Sequence, residues 1–278
     1  MRFRLLFACL MLVSVALRAE EPAPRTVLTL ADQPLRLIRG AAVYRAASGA
    51  AVQKDDILET EAAGAQVEAG ADAIVALGPQ SKMLVANLAA DGKSPVELEL
   101  LQGWAKVYAK GRRAVVVTPA LQVTVPNGST IVHAGDALDA VFAEEGEQQV
   151  ARSGTTLKLA AEQYAGIDAS KPQPMLAAGR PPRAFVSAMP PAFRDHLARV
   201  PGVRNAGKVA PVKERDAAFA DVDDWLASTL PARRRFVARF KPRLLDPDFR
   251  KQLDRALGQS PDWKPVLYPA RRPDNGLF

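Results

Sequence analysis

The segment Val96-Glu97-Leu98-Glu99-Leu100 alternates apolar and polar side chains, and Leu121-Gln122-Val123-Thr124-Val125 repeats the pattern. Alternation with a period of two places successive side chains on opposite faces of a β-strand. Runs of this kind follow one another from about residue 35 to residue 159, separated by Gly, Asp, Asn and Pro. This rhythm predicts a compact all-β domain, which we place at residues 26–168.

A proline-rich stretch at residues 169–184 separates two regions of different composition. Because proline restricts the residue before it to extended conformations, this stretch is predicted to be a linker. Before it aromatic residues are scarce, and after it Phe, Trp and Arg become frequent at helical spacing. The chain is therefore predicted to be α+β overall, with the all-β domain followed by a small, basic all-α domain at residues 185–278.

Two proline signals mark helices in the second region. Pro190-Pro191 is expected to open a helix with an apolar stripe of Phe193, Leu197 and Val200. Asp246-Pro247 combines a capping aspartate with proline at the first helical position, and predicts a second helix there.

The N-terminus has the features of a secretory signal peptide. Two arginines precede an unbroken apolar run, Leu5 to Val13, and small residues follow that run. Cleavage is expected after Ala19, which gives a leader of residues 1–19, with Ala16 as the alternative. The apolar run is well short of the roughly 20 residues that span a bilayer. The mature protein is therefore expected to be exported and periplasmic, without a transmembrane segment.

Positive charge is concentrated in the second region. Its net charge after Pro182 is about +8, whereas the preceding sequence is close to neutral. A sequence pI near 9.7 in an exported protein indicates an anionic envelope polymer or an acidic envelope protein as the partner. A solvated basic face that only keeps the protein soluble is the alternative. Export argues against a nucleic acid partner.

The most basic element is an amphipathic helix predicted within Pro231 to Leu245, which is expected to end or kink near Pro242. Its apolar residues, like Trp225 and Trp263 nearby, are expected to join a small helical core. Guanidinium groups suit phosphate and carboxylate ligands. The candidate partner-binding residues are Arg233, Arg234, Arg235 and Arg239.

Three short motifs occur in a definite order within the β domain. They are Lys54-Asp55-Asp56-Ile57-Leu58-Glu59-Thr60, then Leu98-x-Leu100-x-x-Gly103-x-x-x-Val107, then Val115-Val116-Val117-Thr118-Pro119. Their order and spacing resemble the FecR-type domain, whose elements read G-D-x-I-x-T, L-x-L-x-x-G-x-x-x-V and a strand ending in Thr-Pro. The resemblance covers about half of the chain.

Two positions depart from the family pattern. Lys54 stands where the family usually has glycine before the aspartate, and Pro126-Asn127-Gly128-Ser129-Thr130 replaces an Arg-Gly-Thr element. Asn-Gly still supplies the positive φ of a tight hairpin, so the turn itself is expected to persist.

The resemblance implies a β-solenoid or a roll of short strands that recognises another protein, with an open strand edge as one binding surface. The family includes the periplasmic half of membrane regulators that pass signals from outer-membrane iron-siderophore transporters to sigma factors. Those regulators need a cytoplasmic segment and a membrane helix ahead of the domain. The leader at the start of this chain argues against that role.

One basic cluster lies inside the β domain, around a turn at Gly111. Its members are Lys106, Lys110, Arg112 and Arg113. We expect a solvated hairpin tip, and an anion contact is the alternative.

Catalytic motifs are weak in this sequence. The only cysteine, Cys9, lies in the leader, so the mature chain has no thiol nucleophile or thiolate metal site. His133 with Ser129 and Asp136 is the best fragment of a triad, but a strand histidine with hydrogen-bonded neighbours is the simpler interpretation. Adjacent acids such as Asp55-Asp56 point to opposite faces of a strand and cannot flank one bond.

The sequence therefore predicts a non-enzymatic envelope binding protein without a metal or cofactor, whose β domain recognises a protein or a polymer. A cell-wall glycan hydrolase or a glycan-binding protein, using acids that the sequence does not identify, is the alternative.

Overall fold

The computed structural model describes residues 26–88, 94–168 and 175–269. The predicted signal peptide, residues 1–19, and residues 169–174 of the predicted linker lie outside the described residues. The described chain is mostly β-sheet, and its helices are confined to residues 183–267. The predicted α+β order, a strand-rich region followed by helices, is confirmed.

The strands form two sheets that share one long strand, β8 (Val96–Ala109). The other strands of the first sheet are β1 (Thr26–Ala31), β5 (Ala65–Ala69), β6 (Ala73–Leu77), β11 (Gly128–Ala134), β12 (Leu138–Glu145) and β15 (Tyr164–Asp168). The other strands of the second sheet are β2 (Leu35–Arg39), β3 (Ala42–Ala46), β4 (Ile57–Glu59), β7 (Lys82–Asn87), β9 (Ala114–Val117), β10 (Gln122–Val125), β13 (Gln148–Arg152), β14 (Thr155–Leu159) and β16 (Val212–Asp216).

The strand order is β1-β5-β6-β8-β11-β12-β15 in the first sheet and β14-β13-β10-β9-β8-β7-β4-β2-β3-β16 in the second. The named strands pair antiparallel throughout, except that β8 and β9 are parallel. A solenoid stacks successive coils as parallel strands. The expected solenoid is therefore not observed among the described residues, because hairpins join most neighbouring strands.

Strand β8 must bend sharply to belong to both sheets. A straight strand would carry Ala109 about 43 Å from Val96. Yet the four residues after Ala109 lead into Ala114, which pairs with Val96 and is at most about 18 Å of chain away. The bend lies at Gly103, where φ is +91°, two residues after the pairing with β7 shifts register at Leu101.

Glycine is required at this bend for two reasons. A positive φ is unfavourable for a residue that has a Cβ. In addition, a Cβ at residue 103 would lie 2.4 Å from the Ser81 hydroxyl and 2.6 Å from the Ser81 Cα. That hydroxyl accepts a hydrogen bond from the backbone N–H of Trp104 at 2.9 Å, so Ser81 replaces ladder bonding at the corner. This explains the glycine of the L-x-L-x-x-G-x-x-x-V motif.

The bend brings the two sheets face to face around an inner core. Inward side chains come from alternate positions of both sheets, as the period of a β-strand requires. The second sheet contributes Leu37, Leu58 and Met83, and the first contributes Val75, Val107 and Val132.

The residues after 175 cover the outward faces. Their helices are α1 (Arg183–Ala188), α2 (Asp223–Ala227), α3 (Arg233–Phe240), α4 (Pro247–Leu257) and α5 (Lys264–Leu267), with 3-10 segments at Pro191–Arg194, Phe219–Asp221 and Lys241–Leu245. Phe185 and Phe193 pack on Ile131 of the first sheet. Helices α2 to α5 pack on Ile38, Ile57 and Leu84 of the second sheet.

The expectation of an all-α second region is incomplete, because it also supplies a strand. β16 pairs antiparallel with β3 and so extends the second sheet. The helices complete their core with sheet residues rather than only with one another. Trp225 and Trp263 are 0% and 1% exposed in this shared core, which confirms their predicted burial.

One predicted helix is wrong, and another is confirmed. The helix expected after Pro190 is only the 3-10 segment Pro191–Arg194, because the carbonyl groups of Phe193 and Asp195 accept hydrogen bonds from Lys106 instead of from a following turn. Asp246 caps α4 as predicted, since its side chain accepts from the N–H groups of Asp248 and Phe249.

The comparison with the G-D-x-I-x-T element also needs correction. The positive φ falls on Asp55, at +67°, and not on Lys54. With Asp55 at the glycine position of the quoted pattern, its aspartate falls on Asp56 and its threonine on Thr60. Asp56 is buried and accepts a bidentate pair of hydrogen bonds from Arg39, at 2.8 and 2.6 Å.

We expect Gly103→Ala to lower the free energy of unfolding by about 2–4 kcal/mol, since the new methyl group both clashes with Ser81 and strains φ. Gly154→Ala is the matched control, because Gly154 has φ +82° but open space around a Cβ. It should cost about 1 kcal/mol. Urea unfolding of both variants measures the difference, and equal losses would contradict a packing role for the bend.

Candidate functional site

The four arginines predicted to bind a partner lie on α3, but they are not equivalent. Arg239 points at the β region, where its guanidinium donates to the carbonyl oxygens of Gly40, Asp55 and Ile38 at 2.5, 2.7 and 2.8 Å. Burial lowers the pKa of Arg239 to about 10, partly offset by Asp55 and Asp56, so the group stays protonated at neutral pH. Arg239 therefore holds the helix on the sheet.

The other three arginines differ in their partners. Arg233 pairs with Asp262 at 3.1 Å, and Arg235 pairs with Asp55 at 3.2 Å. Arg234 is exposed and has no partner among the described residues. Of the four predicted residues, Arg234 is thus the one whose guanidinium group is not already engaged within the described chain.

The basic cluster near Gly111 is not one solvated tip. Lys106 is fully buried on the first sheet, where its ammonium contacts Glu144 at 2.7 Å and donates to the carbonyl oxygens of Phe193 and Asp195. The expectation for Lys106 is therefore wrong, because β8 turns this side chain under the covering segment. Lys110 and Arg113 are exposed, and Arg112 pairs with Asp72.

The triad fragment does not assemble. The Ser129 hydroxyl donates to Glu144 at 2.6 Å, and the His133 Nδ1–H donates to the carbonyl of Leu138 at 3.0 Å. Ser129 and His133 lie four residues apart on β11 with Ile131 between them, which places them too far apart for a hydrogen bond.

A groove in two halves lies outside the bend of β8. The charged half is a cavity of about 470 Å³ between the β2–β4 region, β7 and β16. The aromatic half is a cavity of about 300 Å³ formed by the turn before β7, the bend of β8 and the turn after β11. Gln80 and Gln102 border both cavities, so the two halves adjoin.

Cations and carboxylates in the charged half are cross-paired. Arg45 donates to Glu61 at 2.7 Å and to Glu214 at 3.0 Å. Arg36 pairs with both Glu59 and Asp221, Arg215 also pairs with Asp221, and Lys82 pairs with Asp224. The hydrogen bonds that Arg45 donates to Glu61 and Glu214 raise the pKa of Arg45. This half therefore presents both signs of charge at fixed positions.

Glu59 is the carboxylate of this half most withdrawn from water. Burial raises its pKa, while Arg36 and Trp225 act in the opposite direction. Its Oε2 accepts from Arg36 Nε at 2.5 Å and its Oε1 from Trp225 Nε1 at 3.2 Å. Both oxygens thus accept hydrogen bonds from groups that favour the ionised carboxylate. The geometry favours a structural role over general acid catalysis.

The aromatic half is built on Trp104 and His133. Their ring centroids are 4.4 Å apart, and Phe185 supports the indole from a centroid distance of 5.0 Å. Both rings are partly exposed. Burial lowers the pKa of His133, which favours the neutral imidazole.

Sequence reasoning missed this groove. Gln80 and Gln102 belong to separate elements, and nothing in a single sequence joins them. The available signal was Trp104 directly after Gly103, since a large aromatic beside a bend is readily left partly exposed.

None of the helices in the described ranges is long and apolar enough to cross a membrane. Within residues 26–88, 94–168 and 175–269, no group of three or more His, Cys, Asp and Glu side chains is placed to hold a metal ion.

Comparison with protein-family models and with curated proteins finds no match. Among solved structures, two crystal structures of a "putative anti-sigma factor" from Parabacteroides distasonis resemble this chain. Each shares 19% sequence identity, covers 45% of this chain and 59% of that chain, and has a TM-score of 0.38. The match thus spans less than two thirds of either protein.

We expect Arg239→Met to lower the free energy of unfolding by about 2–4 kcal/mol, because three carbonyl groups lose a charged donor. Arg234→Met, on the same helix, should change it by less than about 0.5 kcal/mol. Urea unfolding of the two variants measures both values. Similar losses in the two variants would contradict the assignment of Arg239 as the contact between helix and sheet.

Proposed function

We propose that this protein is an exported, non-enzymatic binding protein of the cell envelope. The observation that carries the proposal is the groove at the β8 bend, which is large enough for a ligand and whose charged groups are held by one another. Side chains fixed in this way are preorganised to contact a ligand. The resemblance to FecR-type domains and the leader sequence support the binding role and the compartment.

The glycan hydrolase alternative needs a pair of acids flanking a bond, one of them able to donate a proton. Glu59 and Glu61 are the nearest candidates in the groove. Glu59 accepts hydrogen bonds from Arg36 and Trp225 at its two oxygens, and Glu61 shares Arg45 with Glu214. This arrangement favours binding over hydrolysis.

An anionic partner surface is also proposed on the outer side of α3. Arg234 of α3 and Lys241, the helical residue directly after α3, lie seven residues apart and therefore on one side, with Ala238 between them. All three are exposed. Arg233, Arg235 and Arg239 already make intramolecular contacts, so the proposed contact is assigned to Arg234 and Lys241.

Binding without turnover is the expected outcome when the purified protein is mixed with envelope fractions, namely isolated cell-wall sacculi and, separately, outer-membrane vesicles. Co-sedimentation measures retention, and release of soluble reducing ends measures hydrolysis. We expect retention by at least one fraction, with reducing ends at the level of a protein-free blank.

The Glu59→Gln variant and the pair Arg234→Gln with Lys241→Gln serve as controls. Release of reducing ends that Glu59→Gln abolishes would establish a hydrolase and refute the proposal. If neither fraction retains the protein, the proposal is also contradicted. If the Arg234 and Lys241 substitutions leave retention unchanged at low salt, the proposed contact at α3 is wrong. The proposed binding at the groove would be unaffected by that result.

A further inference from the structure

The aromatic half of the groove contains hydrogen-bonding groups that the fold leaves available. Since a carbonyl oxygen only accepts, the contact with Leu138 places the His133 proton on Nδ1 and leaves Nε2 as an acceptor. Gly135 lies against this ring, because a Cβ there would be 2.9 Å from the His133 Cε1. The absence of a side chain at residue 135 therefore keeps the edge of the imidazole open to the cavity.

Three exposed side chains complete the polar lining of this half. They are Gln80, Gln102 and Asp136. Their side chains make no hydrogen bond within the described part of the chain. Two carboxamides, each a donor and an acceptor, thus stand beside a carboxylate and an imidazole nitrogen that only accept.

This set of groups selects a chemical class of ligand. The lining of this half has no lysine or arginine, and Asp136 would repel a phosphate or carboxylate. Hydroxyl groups can donate to Asp136 and to the His133 Nε2, while an acetamido group matches a glutamine carboxamide donor to acceptor. The partly exposed indole of Trp104 offers an apolar surface for the C–H face of a ring.

We propose that the aromatic half binds a sugar ring of an N-acetylated glycan, with the ring against Trp104 and its polar groups on Gln102, Asp136 and His133. This inference rests on the proposed binding function and names its ligand. The adjoining charged half, reached past Gln80 and Gln102, accommodates the next ring or a charged substituent of the same chain.

Tryptophan fluorescence gives a local measurement of this binding. The chain has three tryptophans, and Trp225 and Trp263 are 0% and 1% exposed. A ligand in the groove therefore changes chiefly the emission of Trp104. We expect titration of the purified protein with the N-acetylglucosamine tetrasaccharide to give a saturable change in emission. The bound tetrasaccharide should also reduce the fraction of the emission that iodide can quench.

The variant Gln102→Ala combined with Asp136→Ala should weaken the tetrasaccharide affinity at least about tenfold, since it removes two sets of hydrogen bonds. Both residues are exposed, so the fold should be retained. Gln149→Ala is the matched control, because Gln149 is an exposed glutamine on β13, away from the groove. This variant should bind the tetrasaccharide with the affinity of the wild type.

Two results would overturn the inference: no saturable change with the tetrasaccharide, or equal affinity in the double variant and the wild type. If envelope fractions still retain the protein in either case, the glycan assignment fails and the binding function stands. If envelope retention is also lost, the proposed function fails with it.

Discussion

The architecture depends on a single backbone constraint, the sharp bend of β8 at Gly103. Without a residue that accepts positive φ and close approach to Ser81, one strand could not serve both sheets, and the parallel pairing of β8 with β9 would be out of reach. The inner core then follows from ordinary alternation of side chains. The groove follows as well, because the outside of the bend leaves Gln102 and Trp104 beside the turn that carries Gln80.

Buried and partly buried polar contacts fix the covering segment to this scaffold. Lys106 holds the chain after Pro190 on the first sheet, and Arg239 holds α3 on the second. Glu99 of β8 adds a third contact, since its carboxylate accepts from the N–H of Ala232 at the start of α3. Each of these groups would be costly to bury without its partner, so together they specify where the helices sit.

Local patterns predicted the strands, the Asp246 cap and the burial of Trp225 and Trp263, because each depends on neighbours in sequence. Features that depend on distant partners were missed. The partners of Lys106 are carbonyl groups of the covering segment, distant in sequence, so the local pattern predicts a turn residue instead, and the helix predicted after Pro190 is wrong for the same reason. One signal indicated that the first sheet is covered on its outer face: the uninterrupted apolar run Ala73–Leu77 is typical of a strand buried on both faces. The aromatic half of the groove brings together two turns and the bend of β8, and no single-sequence pattern predicts that they meet.

Covering of both outer faces by residues 175–269 has a consequence for solubility. Ile38, Ile57 and Leu84 on one face and Ile131 on the other are at most 1% exposed only because that segment lies over them. Cut at residue 168, the strand-rich part would expose two apolar surfaces and the hydrogen-bonding edge of β3, a combination that promotes aggregation. The C-terminal third thus protects the sheets from self-association as well as completing their cores.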